Sequence, residues 1–475
     1  MTTEPLWTGA RLIEAMGARA QGPVPAAVTG ASIDTRTLEP GDAFFAITGE
    51  ARNGHDFVAA ALDKGAALAV VDEAHAGSFP ADARLAIVPD VLRGMEKAGV
   101  ARRAELSARV IAVTGSVGKT GTKEALRLVL SRQGKTHAPV ASYNNHWGVP
   151  LTLTRTPRDV RYGVYEIGMN APGEILPLAK MVQPDVAVIT TIQPVHLAAF
   201  ESLEGIAREK AAIFNGLKAG GTAIINADIP QTGLLRELAL AAGAGRVVSF
   251  GESEAADVRL LGCSLKPDVS TAEANVMGRP VTYKLGSPGK HIVLNSLAVL
   301  AAAEALGADL ALAALALGDL TPPSGRGARQ VLHAPAGPFT LIDESYNGNP
   351  ASMRAAIENL GRMPVSGRGR RIAVLGDMLE LGETAPELHK GLADAVTGNG
   401  IDLVFACGPL MRSLYDALPS HRRGAYAAQA SSLEPYVLDA VRAGDVVTVK
   451  GSLGTRMGPI VKAMTARFPV VQADD

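Results

Sequence analysis

Short apolar runs rich in Val and Ile recur along this chain, separated by Ala/Leu-rich windows with helical spacing. That alternation is the signature of largely parallel sheets covered by helices. In the first stretch, FFAI (from Phe44), LAVV (from Leu68) and LAIV (from Leu85) read as strands, with HDFVAAALDKGA as a helix between the first two. An arginine-bearing helix ending at Leu106 leads into a second unit. There RVIAVTG (from Arg109), YGVYEIG (from Tyr162), DVAVITTI (from Asp185) and TAIIN (from Thr222) read as strands. Residues 255–290 are polar, Gly-rich and alternating, which predicts β-hairpins, and two Ala/Leu helices follow from His291 to Leu317. The Pro/Gly/Ser break TPPSGRGAR, from Thr321, precedes a third set of strands: FTLIDES, RIAVLGD, LVFACG and DVVTVKG. The expected fold class is α/β, with three domains over residues 1–106, 107–326 and 327–475.

Length agrees with this division, since 475 residues at about 150 per domain make roughly three. Charge narrows the partners. Lys plus Arg is 46 and Asp plus Glu is 47, a net charge of -1, which argues against a protein built to coat nucleic acid or an acidic membrane. Cys263 and Cys407 are the only cysteines, which excludes a disulfide framework and a Cys-built zinc site. The first residues carry no basic region followed by an apolar core, so no signal peptide is expected. The most apolar stretch, Ile292 to Leu320, contains Asn295, Glu304, Asp309 and Asp319 and is divided by Gly307 and Gly318. It reads as buried helices and not as a membrane span. The expectation is a cytoplasmic monomer with no nucleic-acid or membrane partner.

The strongest chemical signal is AVTGSVGKTGTKEAL, from Ala112. A buried strand ends, a loop of Gly115, Ser116, Val117 and Gly118 follows, and a helix starts with Lys119, Thr120 and Gly121. Such a loop turns backbone N–H groups and a helix N-terminus toward phosphate oxygens. Lys119 adds a charge for the β/γ-phosphates and the Thr120 hydroxyl suits Mg2+. The loop is a compact form, because the first Gly of the full GxxxxGK[ST] pattern would fall at Val113. Glu166, at the carboxyl end of VYEIG, needs a cation or donors if buried. From the strand alone it is equally a metal ligand or a salt-bridged strand-end carboxylate. His196 follows a strand and Lys210 lies in a helix among Ala and Ile. By composition alone a lone His reads as structural and a helical Lys as solvent-facing. In LIDESYNGNPASM a strand ends at Asp343 and a turn with Tyr346 and Asn347 leads to a helix; strand-end loops of such sheets bind ligands, but by itself the segment reads as an ordinary strand–turn–helix. Asn295, polar in an apolar helix, is a packing hydrogen bond or a ligand contact, and Arg326 in the break reads by default as solvated.

Taken together and in order, from DTRTLEPGDAFFAITGE at Asp34 to VKGSLGTRMGPIVKAM at Val449, these segments resemble the Mur ligase family of ATP-dependent amide-bond ligases. NNHWGVPLTL, EIGMNAPGEI, VHLAAF, AREKAAIF, DESYNGNPASM and GDMLELGE are similar to the branch that joins D-alanyl-D-alanine to UDP-N-acetylmuramoyl-tripeptide. The resemblance implies a central P-loop ATPase domain between an N-terminal domain for the UDP end of the substrate and a Rossmann-like C-terminal domain. It implies ATP and Mg2+ as cofactors and an acyl-phosphate intermediate. It assigns Ser32, Asp34, Thr35, Arg36, Asn144 and Asn145 to the UDP-substrate. It assigns Gly115 to Gly121, Asn295, Arg326, Asp343, Tyr346 and Asn347 to ATP. Thr120, Glu166, His196 and Lys210 become metal ligands, Lys210 as a carbamate. Lys119, His196, Lys210 and Arg326 are the catalytic set. His146 and Trp147 depart from the Glu and Ile common in relatives, Pro194-Val195 from the usual residues before His196, and Leu453 from the usual Arg. Two rival classes, a P-loop switch NTPase and an idle nucleotide-binding scaffold, differ in turning over ATP without an amine acceptor or not at all.

Overall fold

The alternation of apolar runs and helices resolves into three separate sheets in the computed structural model, which describes residues 5–50, 52–194, 199–200, 202–323 and 325–470. The first sheet has five strands in the spatial order Arg19–Gln21, Leu85–Val88, Leu68–Asp72, Asp42–Phe45 and Gly30–Ser32. Only the pairing of Arg19–Gln21 with Leu85–Val88 is antiparallel.

The central sheet has nine strands, ordered Arg279–Leu285, Ser270–Val276, Val258–Leu265, Arg246–Gly251, Thr222–Asn226, Val186–Ile189, Arg109–Thr114, Tyr162–Glu166 and Thr136–His137. Its middle strands are buried on both faces, as parallel strands under helices must be. Ile111 and Val113 pack on one side with the helix Lys290–Ala305, and Val110 and Ala112 on the other with the helix Ile175–Val182. The helix Lys290–Ala305 is buried over most of its length, which explains its lack of a polar face. Among the described residues no helix is long and apolar enough to cross a membrane.

The third sheet runs Ala328–Ala334, Gly337–Glu344, Val446–Lys450, Arg371–Gly376, Leu403–Cys407 and Arg423–Ala427, parallel except for the first pair. The apolar runs named above all become strands. The hairpins expected over residues 255–290 form as the strands of residues 258–285, which join the edge of the central sheet with antiparallel pairings. Strands such as Arg19–Gln21, Gly30–Ser32 and Arg423–Ala427 were not anticipated, because edge strands carry polar residues instead of an apolar run. The helix expected over HDFVAAALDKGA begins as a 3-10 turn, Gly54–Phe57, before the helix Val58–Asp63.

Parallel topology brings the carboxyl ends of strands together, and ligands of such sheets bind there. Thr114 and Glu166 end adjacent strands of the central sheet, and Glu344 and Lys450 end adjacent strands of the third. Glu166, Glu344, Lys450 and the loop that follows Thr114 line one cleft.

Candidate active site

The cleft has a volume of about 580 Å3 and runs from the loop after Thr114 to the third sheet. Two glycines set the loop. Gly118 has φ +87°, a left-handed conformation, and a Cβ there would sit 2.6 Å from Asn295 Nδ2. Gly115 lies so close to Thr190 that a Cβ would meet its hydroxyl at 1.9 Å. The loop is braced from the neighbouring strand: Thr190 Oγ1 donates to the Val117 carbonyl at 2.6 Å, and Ser116 Oγ donates to the Gln193 carbonyl at 3.0 Å. Asn226 Nδ2 holds the Thr190 carbonyl at 3.0 Å. Lys119, at the start of the helix Lys119–Ser131, folds back so that Nζ donates to the Gly115 carbonyl at 2.7 Å.

Glu166 is 1% exposed. Its Oε1 accepts from Thr120 Oγ1 at 3.1 Å and from Asn144 Nδ2 at 2.7 Å. Its Oε2 is buried without a hydrogen-bond partner. Ser142 Oγ lies 3.3 Å from Thr120 Oγ1. The half of the Glu166 carboxylate that faces no donor is therefore a place for a cation. Burial lowers the pKa of Lys119, the Glu166 carboxylate opposes that shift, and the Arg326 charge adds to it.

Lys210 lies in the helix Leu203–Ala211 and is 1% exposed. Its amine has no hydrogen-bond partner among the described residues, and burial, then the charge of Lys119, push its pKa well below the ordinary lysine value. The next residue back anchors that helix to the site: Glu209 accepts from the backbone N–H groups of Gly173 and Ile175 at 2.8 and 2.9 Å. Sequence reasoning by composition made Lys210 solvent-facing, and the structure buries it. His196 lies outside the described residues.

Arg326, in the break before the third sheet, and Tyr346, in the turn after the strand Gly337–Glu344, enter the cleft as a pair, with the guanidinium carbon 4.5 Å from the ring centroid. Gly325 and Gly327, at φ +72° and +102°, flank Arg326. Asn347 lines the cleft, and its carbonyl accepts from Lys450 Nζ at 2.9 Å. Lys450 also pairs with Glu344 at 3.0 Å. Asp343 is not among the lining residues; its Oδ1 accepts from the Ser345 N–H at 3.1 Å and hydroxyl at 2.6 Å and so shapes the turn that carries Tyr346. Sequence reasoning missed Ser142, Thr190, Asn226, His291, Glu344 and Lys450, all of which line the cleft. Thr190, Asn226, Glu344 and Lys450 end or directly follow buried strands, the one sequence signal that could have found them.

Ser32, Asp34, Thr35 and Arg36 stand apart from this cleft, after the strand Gly30–Ser32. Ser32 is fully buried and its hydroxyl donates to the Asp34 carbonyl at 3.0 Å. Asp34 accepts from the Arg36 backbone at 2.9 Å and grips its guanidinium at 2.6 Å, which holds the Asp34 carboxyl below the ordinary range. Asn144 and Asn145 line the central cleft. The segment they begin connects the cleft to the first sheet and the loop that holds Asp34 to Arg36. Asn145 Oδ1 caps the helix Gly148–Thr154 by accepting from the Gly148 N–H at 2.9 Å, Trp147 packs on Gly49, and Arg155 Nε donates to the Ala31 carbonyl at 2.5 Å.

Comparison with known proteins agrees with this arrangement domain by domain. Residues 27–104 match the Mur ligase family catalytic domain, 113–303 the Mur ligase middle domain and 329–453 the Mur ligase glutamate ligase domain. The chain is 34% identical over 442 residues to the UDP-N-acetylmuramoyl-tripeptide–D-alanyl-D-alanine ligase of Bacillus subtilis, covering 92% of this chain and 93% of that one. Its structure is similar to MurF from Acinetobacter baumannii, with a TM-score of 0.82 and 29% identity over 98% of this chain and 100% of that chain. It is also similar to the MurF ligase from Thermotoga maritima in complex with ADP, with a TM-score of 0.74 and 26% identity over 92% and 97% of the two chains. By sequence, by domain order and by fold, the chain belongs to the Mur ligase family.

Proposed function

We propose that this protein is an ATP-dependent ligase that joins D-alanyl-D-alanine to the terminal carboxylate of UDP-N-acetylmuramoyl-tripeptide, in cytoplasmic peptidoglycan precursor synthesis. It works as a monomer in three domains, with boundaries near residues 106 and 326. The observation that carries the reading is the corner where Thr120, Asn144 and the half-paired Glu166 meet beside the phosphate loop.

ATP binds along the cleft. Its phosphates lie on the loop Gly115–Gly121, and its base and ribose fall between Asn295 and the Arg326, Tyr346 and Asn347 wall. The residues present fit Mg2+: Glu166 Oε2 is an orphaned buried carboxylate oxygen, and Thr120 offers a hydroxyl beside it. Thr120, Glu166, His196 and a carbamylated Lys210 would hold the metal, which lowers the repulsion between anionic reactants. Lys210 suits carbamylation because CO2 adds only to a neutral amine, and burial beside Lys119 favours that form. The carbamate would also exchange repulsion from Lys119 for attraction.

The tripeptide carboxylate attacks the γ-phosphorus and ADP leaves to give an acyl phosphate; the D-alanyl-D-alanine amine then attacks the acyl carbon, and phosphate and a proton leave as the amide forms. Lys119 and Arg326 neutralise the charge that gathers on the phosphoryl oxygens. Ser32, Asp34, Thr35 and Arg36 hold the UDP end far from the chemistry, so remote binding energy positions the reacting carboxylate. The third domain closes about Gly325 and Gly327 and excludes water from the acyl phosphate.

Phosphate release from ATP and Mg2+ tests the reading, with UDP-N-acetylmuramoyl-tripeptide present and D-alanyl-D-alanine present or omitted. Release that needs both, with a pentapeptide product, supports the ligase. Release indifferent to D-alanyl-D-alanine points to another acceptor or a switch NTPase, and no release points to a binding scaffold.

A further inference from the structure

Two lysines are fully buried in the central domain, Lys210 at 1% and Lys123 at 0% exposure. Lys210 makes no hydrogen bond among the described residues, and the reading above gives it a part in the reaction. Lys123 is paired, and nothing in the reaction outlined above uses it. It lies one turn beyond Thr120 in the helix that follows the phosphate loop. Its ammonium donates to the Glu124 carboxylate and, at 2.9 Å, to the Pro139 carbonyl. Adjacent residues of a helix do not face one another, so the Glu124 contact has both side chains bent to one point. Glu124 is held there by Arg127, whose Nε donates to its other oxygen at 2.7 Å.

Burying an ammonium is costly unless it is paired and hydrogen-bonded, and an apolar side chain of similar volume fills the same space without that cost. The charge therefore has a task, and the Pro139 contact shows it. Pro139 opens the loop that presents Ser142 to Thr120 and Asn144 to Glu166. The same loop is otherwise open to solvent at its turn, where Val140 is 86% exposed. Two ends of the loop are thus pinned: Pro139 by Lys123, and Asn144 by Glu166 and by its carbonyl, which accepts from the Gly168 N–H at 2.7 Å.

We propose that Lys123 is a positioning residue for the metal corner. Through the Pro139 carbonyl it fixes the loop that sets Ser142 and Asn144 against Thr120 and Glu166. It touches no substrate. The inference rests on the nucleotide reading of the cleft given above, and it adds that the corner is preorganised from behind by a buried charge.

Calorimetric titration with Mg·ATP and with metal-free ATP tests this on the full chain, for wild type, Lys123→Met, Asn144→Ala and the double variant. Lys123→Met keeps the buried volume. It should bind Mg·ATP about 10-fold more weakly, the scale of one lost hydrogen bond to a charged donor. Metal-free ATP should bind within about 2-fold of wild type, since its phosphates rest on the loop and Lys119. The double variant should be no weaker than the worse single variant by more than about 2-fold, because both act on one loop. Equal losses with and without metal, or fully additive losses, overturn the proposal. A wild type that binds no Mg·ATP overturns the nucleotide reading itself, a separate outcome. If Lys123→Met does not fold, Lys123→Arg decides through amide hydrogen exchange. Faster exchange confined to residues 139–145, with weaker Mg·ATP binding, supports the proposal. Unchanged exchange, or faster exchange throughout the domain, overturns it.

Discussion

Thr120 and Glu166 meet at 3.1 Å, hydroxyl to carboxylate, although one begins a helix and the other ends the adjacent strand. The contact uses only Oε1, and Oε2 stays buried and unpaired. A carboxylate left this way is costly, so a cation at Oε2 is the natural complement. Glu166→Gln should therefore lower turnover by about 100-fold or more, as removal of a preorganised charge does at a site where charge develops. The amide still offers an acceptor to Thr120 and Asn144, so melting temperature should hold or rise. Phosphate-release kinetics and thermal unfolding on one preparation check this. Full turnover in the variant would remove Glu166 from the site.

Lys210 pits stability against function. An amine buried beside the Lys119 charge is a cost that Lys210→Met removes. In CO2-free buffer the variant should be more stable by about 1–3 kcal/mol, the scale of taking a polar group out of water. It should have lost ligation. The pH dependence has a definite sign. The folded-state pKa is pushed below the ordinary 10.5 by burial and by Lys119. Between the folded and unfolded values the unfolded chain holds more protons, so wild-type stability climbs as pH rises through that window. Below the window the whole penalty is present. Lys210→Met should lack this climb. Urea unfolding across pH checks it, and a parallel slope in the variant would show that another group is responsible.

Carbamylation gives a separate signature. Bicarbonate should raise the melting temperature of wild type, because ligand chemistry confined to the folded state is stabilising. It should leave Lys210→Met unmoved. Labelled bicarbonate should give a carbamate carbon resonance in wild type alone. Small carboxylic acids should restore part of the activity of Lys210→Ala, where the shorter side chain leaves room for them. Full activity of Lys210→Ala without any addition would end the carbamate reading.

The fold was legible where burial on both sheet faces forces continuous apolar runs, as at Ile111, Val164 and Val188. It was illegible at edges such as Arg423–Ala427, where one side of the strand meets solvent and the pattern weakens. The phosphate loop was readable from spacing, because Gly115 and Gly118 occupy positions a Cβ would fill. Lys210 was not readable from composition. Its burial is set by a helix that Glu209 ties to Gly173 and Ile175, a contact far away in sequence. The Thr190 brace and the Lys123 pin were hidden for the same reason. Each joins the loop to an element whose proximity follows only from the strand order.

Arg326 and Tyr346 act as one wall, with the guanidinium 4.5 Å from the ring centroid. A cation over an aromatic face is worth about 0.5–2 kcal/mol. Tyr346→Phe keeps the face and should bind nucleotide nearly as wild type does. Tyr346→Ala frees the arginine and should weaken binding by roughly 3- to 30-fold on that scale. Equal losses in the two variants would assign the role to the hydroxyl and not to the ring.

The proposed closure of the third domain would turn on Gly325 and Gly327. Gly325 has φ +72°, and a Cβ there would lie 2.8 Å from Tyr346 Cβ. Gly327 has φ +102°, but its nearest neighbour is Pro322 at 3.7 Å. Both positions carry backbone strain once a Cβ is added, while only Gly325 also meets a clash. Gly325→Ala should cost about 1–3 kcal/mol in stability, from strain at a positive φ. It should also displace Tyr346 and slow ligation more than Gly327→Ala does. Small-angle scattering separates the hinge from the clash. Wild type should contract when nucleotide and UDP-substrate are added together, and Gly327→Ala should contract less while it keeps its ground-state nucleotide affinity. If wild type has the same compactness with and without ligands, the closure has no support, and both glycines would then serve only to place Arg326 in the cleft wall.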